Sequence, residues 1–383
     1  MNYIISGSDS NKTGIGLYTR SLISGLPRKK FKKLIVNYDF SGYRQRLRAT
    51  PVAAFYEILK FCFFYPIIRF KLLSFVFLRS NDKVVLIHPQ SIGFFYINLM
   101  LKYRKKNLYI ILVDNSFFCI KSYNYIDGEK SGCLRCIESD AYATKYNCKP
   151  FPVNSDGALE FIKNFKKSLK RNHLEIFTIS NFHANFLKKH YHISNQIRVI
   201  GMWYEYFDDC YNINDKNNFP SYDVVFNASY DSAKGAYWCI QLAKASPSLT
   251  FFFPFDSPEG LTLPNCTFKN INWNSGLKEI VANSKLTLLP TFWTTPVEGA
   301  FIQSLIFSKQ VAVMDSEYSF SSYEDVPGLL ALPFSIKEAS DMILTSTKSI
   351  IDNRNNELLT KWLKNFRVEN ISISDKLLKY LEA

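Results

Sequence analysis

No uncharged hydrophobic run in this chain approaches the roughly 18 residues that a membrane-spanning helix requires. The most apolar stretch, Phe55 to Leu78, is broken by Glu57, Lys60, Arg69 and Lys71, so no transmembrane anchor is expected. No secretory leader is expected either. Met1-Asn-Tyr-Ile-Ile-Ser6 has neither a basic start nor a long apolar core, and the expected location is the cytoplasm. Glycine and proline supply only 15 residues each, with no low-complexity segment or repeat, which excludes collagen-like and disordered chains. A full dinucleotide fingerprint is also absent, because Gly14-Ile-Gly16 would need a third glycine where Thr19 stands.

What is present is a globular composition, 47% hydrophobic and 21% charged over 383 residues. One core stops growing at roughly 250 to 300 residues, so two domains are expected. Charge separates the two halves. Residues 1–175 carry 29 Lys and Arg against 12 Asp and Glu, net +17, whereas residues 176–383 carry 18 against 21, net −3. A basic surface attracts phosphate in nucleic acid, anionic lipid or a diphosphate-linked substrate, and charge alone does not choose among them. In Phe55 to Leu78, aromatic residues alternate with Lys and Arg, Arg44, Arg46 and Arg48 lie upstream, and Pro66 divides the stretch into two short helices. It reads either as core-facing helices or as a segment lying on an anionic membrane surface. The run Arg28 to Lys33 reads as a solvated loop.

Short apolar runs alternate with helix-like segments, the pattern of parallel strands joined by crossover helices. Strands are expected at Tyr3 to Ser6, Leu34 to Tyr38, Lys83 to His88 and Leu108 to Asp114, and again at Asp223 to Asn227, Thr250 to Pro254, Leu286 to Pro290 and Val311 to Asp315. The expected fold class is α/β, with two Rossmann-like, doubly wound domains. The first spans 1–203 and includes a cysteine-rich insert at 117–152, the second spans 204–357, and a final helix at 358–383 packs back across the domains.

Five places could carry chemistry. Gly14-Ile-Gly16 follows the first strand and opens a helix, where free N–H groups favour phosphate; a plain tight turn is the other reading. Lys234 falls near the first turn of a helix, a poor place for a cation unless an anion binds there, though a solvated surface lysine would look the same. Glu298 opens the helix after the loop carrying Trp293, either facing a ligand or merely complementing the helix dipole. Asp114, at a strand end, could bind an acceptor hydroxyl or assist its deprotonation, or could cap its own turn. His88, before Pro89, reads as structural or ligand-binding.

Cys119, Cys133, Cys136 and Cys148 form C-x13-C-x2-C-x11-C, whose central pair has knuckle spacing. The expectation is a closed structural zinc site ordering the insert, with a redox or iron–sulfur role and unrelated thiols as alternatives. Cys62, Cys210, Cys239 and Cys266 are scattered and suit buried apolar positions. A nucleic-acid-binding zinc protein is disfavoured, since Lys145 is the only base between Cys136 and Cys148.

In order along the chain, Gly14 to Gly16, Phe177 to Leu187 leading to Arg198-Val-Ile-Gly201, and Lys234-Gly235 followed by Pro290 to Ser304 resemble the GT-B-fold sugar transferases of family 4. The resemblance implies two domains facing across a cleft and transfer of a sugar from a nucleotide donor, with retention and without a catalytic metal. It implies donor contacts at Gly14, Gly16, Ser229, Lys234, Thr295, Glu298 and Gln303, with Asp114 and Glu298 as catalytic candidates. Ser229 stands where the family usually has arginine, Thr295 and Gln303 where it has glutamates, and Val113 where it has histidine. The implied role is a peripheral enzyme of the inner membrane face, acting on a lipid-diphosphate-linked glycan in O-antigen or capsule assembly. A catalytically degenerate sugar-binding or scaffolding subunit is the alternative.

Overall fold

The computed structural model describes residues 2–7, 14–36, 52, 66–77, 81–104, 106–151, 157–171, 174–193, 197–202, 219–295, 298–323, 325–349 and 352–382. Arg44, Arg46, Arg48, Phe55 to Tyr65, Cys62 and Cys210, and most of the expected domain boundary, lie outside them. The chain forms two compact units, one of residues 1–122, 135–203 and 372–383, the other of residues 123–134 and 204–371.

The first unit holds β1 (Asn2–Ser6), β2 (Phe31–Ile35), β3 (Lys83–Ile87), β4 (Leu108–Leu112), β5 (Leu174–Thr178) and β6 (Ile197–Val199). They form one sheet in the order β2-β1-β3-β4-β5-β6, with every pairing parallel. Parallel strands covered on both faces need unbroken apolar runs, and Val84 to Ile87 and Ile110 to Ile111 are completely buried. The helix Ala158–Lys170 turns Phe161, Ile162, Phe165 and Leu169 inward and leaves Lys163, Lys167 and Lys170 exposed. Ser180 caps the helix Asn181–Tyr191, its hydroxyl accepting from the His183 N–H at 3.1 Å.

The second unit holds β7 (Val224–Phe226), β8 (Phe251–Phe253), β9 (Cys266–Phe268), β10 (Leu286–Leu289), β11 (Val311–Met314) and β12 (Leu329–Leu332). Its sheet runs β12-β11-β10-β7-β8-β9, again all parallel. Its core gathers Phe226, Phe251, Phe253, Phe255, Trp238 and Phe292. In each unit the strand order reverses once, between β1 and β3 and between β7 and β10. Ligands of such sheets bind beyond the carboxyl ends of the strands at that reversal.

Three details differ from the sequence reading. The Arg28 to Lys33 run is not wholly a loop: Phe31 to Lys33 begin edge strand β2, with Phe31 inward and Lys32 and Lys33 exposed. Lysines on an edge strand keep other chains from pairing with it. The final helix is two, Glu357–Asn370 in the second unit and Ile373–Glu382 in the first. The break coincides with Asn370, whose side chain donates to the Phe366 carbonyl at 2.6 Å, and Ser374 beyond it donates to Leu22 O at 3.0 Å. Residues 123–134, inside the insert, belong to the second unit.

Candidate functional site

At the reversal point of the second unit, the turn after β7 is built by Asp231, whose carboxylate accepts the Ala233 N–H at 2.8 Å. Gly235 follows with φ 78°, and a Cβ there would lie 2.3 Å from the Pro290 carbonyl oxygen. Only glycine lets the start of the helix Ala236–Ala245 come this close to the end of β10. Lys234 is thereby set against Glu298, Nζ to Oε2 3.1 Å, with the two side chains 16% and 15% exposed. Trp293 Nε1 donates to the other Glu298 oxygen at 3.1 Å. The ring of Tyr123 closes the group, its centroid 4.6 Å from that of Trp293 and 5.7 Å from Lys234 Nζ. Burial alone would lower the Lys234 pKa, but the Glu298 carboxylate, with Tyr123 and Asp231, outweighs it and holds the amine above its ordinary range.

Residues 123–134 are fastened to this corner by the buried Asn124. Its amide accepts the Thr294 N–H at 3.0 Å and donates to Thr294 Oγ1 at 2.9 Å and to the Cys133 carbonyl at 3.0 Å. Tyr125 stacks on Phe292 at 5.4 Å. Asn227, just beyond β7, donates to Ser304 Oγ at 2.9 Å and so ties the strand end to the helix Gly299–Phe307.

At the reversal point of the first unit, β3 ends at Ile87 and His88 takes the left-handed conformation, φ 52° and ψ 77°. His88 Nε2 lies 2.9 Å from Asp114 Oδ2, and Asp114 Oδ1 accepts the Ser116 N–H at 3.0 Å. Asp114 therefore caps its own turn, as one reading of it expected, and also engages His88. Burial pushes its pKa up, but His88 and Ser116 more than offset that and hold the carboxyl below its ordinary range. Close by is His183, fully buried with neither ring nitrogen hydrogen-bonded; burial pushes its pKa down to about 4, against a smaller upward pull from Asp114. Gly7, after β1, donates its N–H to Ser91 Oγ at 3.1 Å, and a Cβ there would lie 2.0 Å from the Ser91 carbonyl oxygen.

The structure brings Lys234 and Glu298 together, but it does not unite all the sequence candidates. Ser229 is exposed, Thr295 is buried with its hydroxyl unpartnered, and Gln303 is half-buried on the helix Gly299–Phe307. Gly14 is the first residue of the helix Gly14–Ser24 and has open space around its Cβ position, so packing within the unit does not require glycine there. Gly16 is buried in the same turn. Cys119, Cys136 and Cys148 lie in the first unit and Cys133 in the second. Among the described residues, no three His, Cys, Asp or Glu side chains are gathered to hold a metal ion.

Tyr123, Asn124 and the His88–Asp114 contact were not assembled from the sequence. Tyr123 and Asn124 sit in a polar insert more than 100 residues before Lys234, and no spacing rule links them. His88 and Asp114 each stand at the end of an expected strand; β3 and β4 are parallel neighbours with Ile87 opposite Ile111, and the turns beyond them bring the two side chains together.

No family model matches the chain, and no curated protein matches its sequence. Solved structures do match, and they define the class: the chain has the two-domain GT-B fold of sugar transferases. It is similar to an Escherichia coli trehalose-6-phosphate structure bound with UDP-2-fluoro glucose, at 8% identity and TM-score 0.58, covering 100% of this chain and 99% of that one. A UDP-forming trehalose-phosphate synthase from Burkholderia xenovorans, in complex with glucose-6-phosphate, matches at 8% identity and TM-score 0.58, covering 100% of both chains. A glycosyltransferase from Rickettsia africae matches at 12% identity and TM-score 0.54, covering 100% of this chain and 97% of that one. TarM matches at TM-score 0.47 and 15% identity, this chain spanning 54% of its length.

Proposed function

We propose that this chain is a glycosyltransferase that moves a sugar from a nucleotide-sugar donor to a hydroxyl of a glycan acceptor. The observation that supports it best is Lys234, a buried cation at the reversal point of the second unit, in a fold that sugar transferases share. A donor diphosphate would take over the partner role that Glu298 now plays, and charge developing on the departing nucleotide would be stabilised there. Freed from the lysine, Glu298 still holds Trp293 and becomes available to donor hydroxyls. Asp114 serves the acceptor side in the first unit. Retention of configuration and a reaction without a catalytic metal follow from the family-4 resemblance and belong to this reading.

The acceptor is a lipid-diphosphate-linked glycan of surface polysaccharide assembly, met at the inner face of the membrane. The net +17 of residues 1–175 supports it, as do Phe70, 75% exposed between Arg69 and Lys71, and Phe77, 84% exposed. No helix among the described residues is long and apolar enough to cross a membrane. A degenerate sugar-binding subunit is the second reading, favoured by the missing carboxylates at Thr295 and Gln303. Zinc at Cys119, Cys133, Cys136 and Cys148 is a separate proposal. About one zinc per purified chain, lost on changing Cys133 and Cys136 to Ser, would support it, and metal-free protein of full stability would end it.

The donor reading is tested by thermal shift against UDP, GDP, ADP, CMP and their common sugar conjugates, because a ligand of the folded state raises its melting temperature. The expected result is a selective shift that Lys234→Ala abolishes. Folded protein that responds to no nucleotide would overturn the donor site.

A further inference from the structure

Residues 66–74 are helical and continue into the 3-10 turn Phe75–Phe77. A helix on the surface of a unit usually sets an apolar stripe inward and polar residues outward. The inward stripe is present, with Leu72, Phe75 and Val76 buried and Ile68 half-buried. Phe75 meets the ring of Tyr3 on β1 edge-on at 5.1 Å, and Arg104 donates to the Phe75 carbonyl at 3.5 Å, so the segment is anchored in the first unit. The outward face is apolar too. Ile67, Phe70 and Leu73, three residues apart, are all exposed, and so is Phe77 beyond them. Arg69 and Lys71, both exposed, stand on either side of Phe70 in sequence. At about 3.6 residues per turn they fall on opposite flanks of the apolar face. From 58 to 81 the sequence has no Asp or Glu but carries Lys60, Arg69, Lys71 and Arg79.

We propose that this segment docks on an anionic bilayer, with Ile67, Phe70, Leu73 and Phe77 entering the acyl boundary and Arg69 and Lys71 meeting lipid phosphates. The placement rests on the membrane reading of the proposed function and is independent of sugar transfer. Burial of exposed apolar side chains is favourable, and each cation close to an anionic surface adds attraction, so both contributions act on one face. Charge decides against the other occupants. A second copy seated by two-fold symmetry would press this face and its basic flanks against their own equivalents, setting like charges together in a contact from which water is excluded. A nucleic acid would use Arg69 and Lys71 but leave four apolar side chains in water. A bilayer satisfies both the charges and the apolar face. Held there, the chain shares a surface with a lipid-linked acceptor, which raises the effective concentration of one at the other.

Sedimentation of the intact chain with vesicles tests this, comparing equal parts phosphatidylcholine and phosphatidylglycerol with phosphatidylcholine alone. Binding is expected on the anionic vesicles, falling as salt is raised, with far less on the neutral ones. Phe70→Ser with Phe77→Ser should weaken it at least about tenfold. Arg69→Gln with Lys71→Gln should also weaken it by about tenfold or more. All four side chains are exposed, so both variants should melt at the parent's temperature and keep its nucleotide shift. Insertion is read separately in Phe70→Trp, whose emission should move to the blue on anionic vesicles and be quenched by brominated acyl chains beyond the parent. Adsorption through lysines elsewhere on the surface would produce neither signal. No binding to anionic vesicles, unchanged binding in the folded serine variant, or no added quenching in Phe70→Trp each overturns the docking. So does a parent that self-associates through this face, seen as a concentration-dependent mass that the serine variant loses. Vesicle binding that fails while the nucleotide shift persists leaves the glycosyltransferase reading intact, and the reverse result leaves the docking intact.

Discussion

The two reversal points each set a carboxylate against a nitrogen base, in different ways. In the first unit His88 and Asp114 meet at 2.9 Å and leave one ring nitrogen with nothing to bind. In the second, Lys234 and Glu298 meet at 3.1 Å, Trp293 takes the remaining carboxylate oxygen, and the ring of Tyr123 covers the amine. One pair leaves a buried ring nitrogen unpartnered. The other is closed on itself, so an incoming anion must replace an existing carboxylate. Two parallel sheets of different strand order thus carry different side-chain pairs at their single reversal points.

The comparison breaks most sharply at Glu298. Glu298→Ala leaves a buried ammonium without its counter-ion and should lower the stability of the second unit by about 3 to 5 kcal/mol in denaturant unfolding. Saturating donor diphosphate should recover part of that loss, and the double change Lys234→Met, Glu298→Leu should cost much less. A single change with no cost would mean that the pair does not hold the amine in solution.

A smaller effect separates the units by pH. His183 in the first unit is depressed from 6.5 to about 4. The unfolded chain therefore binds a proton that the folded chain refuses, and stability is full above about pH 6.5 and falls through the window down to about pH 4. The loss should be on the order of 3 kcal/mol and should vanish in His183→Phe, as followed by thermal melts across that range. Equal acid sensitivity in that variant would place the titrating group elsewhere.

The smallest change sharpens the second site. Asn124→Ala removes the clasp on Thr294 and should cost about 1 to 3 kcal/mol. Because Tyr123 then loses its anchor, nucleotide affinity should weaken although no residue near Lys234 in sequence is altered. Unchanged affinity in the melted-down variant would show that residues 123–134 only brace the unit.

Much of the fold was legible because parallel strands buried on both faces must be apolar, so β1, β3, β4, β7, β8, β10 and β11 stand out as short runs such as Val84 to Ile87. The edge elements were less so. In β2 two of five residues are exposed lysines, and β9 buries none of its three residues fully, which leaves no uniform apolar signal. Lys234 and Glu298 were legible as chemistry because a cation at a helix start and a carboxylate at the head of another are each conspicuous. That they neutralise each other was not, since 64 residues separate them.

The sequence by itself determined two parallel α/β sheets, their helices and the loops at the strand ends, because burial and helix periodicity are local properties of the chain. Only the tertiary structure decided which side chains meet at those ends. The turns after the adjacent strands β3 and β4 set His88 on Asp114, the glycine at 235 let Lys234 reach Glu298, and Asn124 carried Tyr123 into the second unit. Contacts of that kind depend on a few ångströms of long-range placement, which no spacing along the chain encodes.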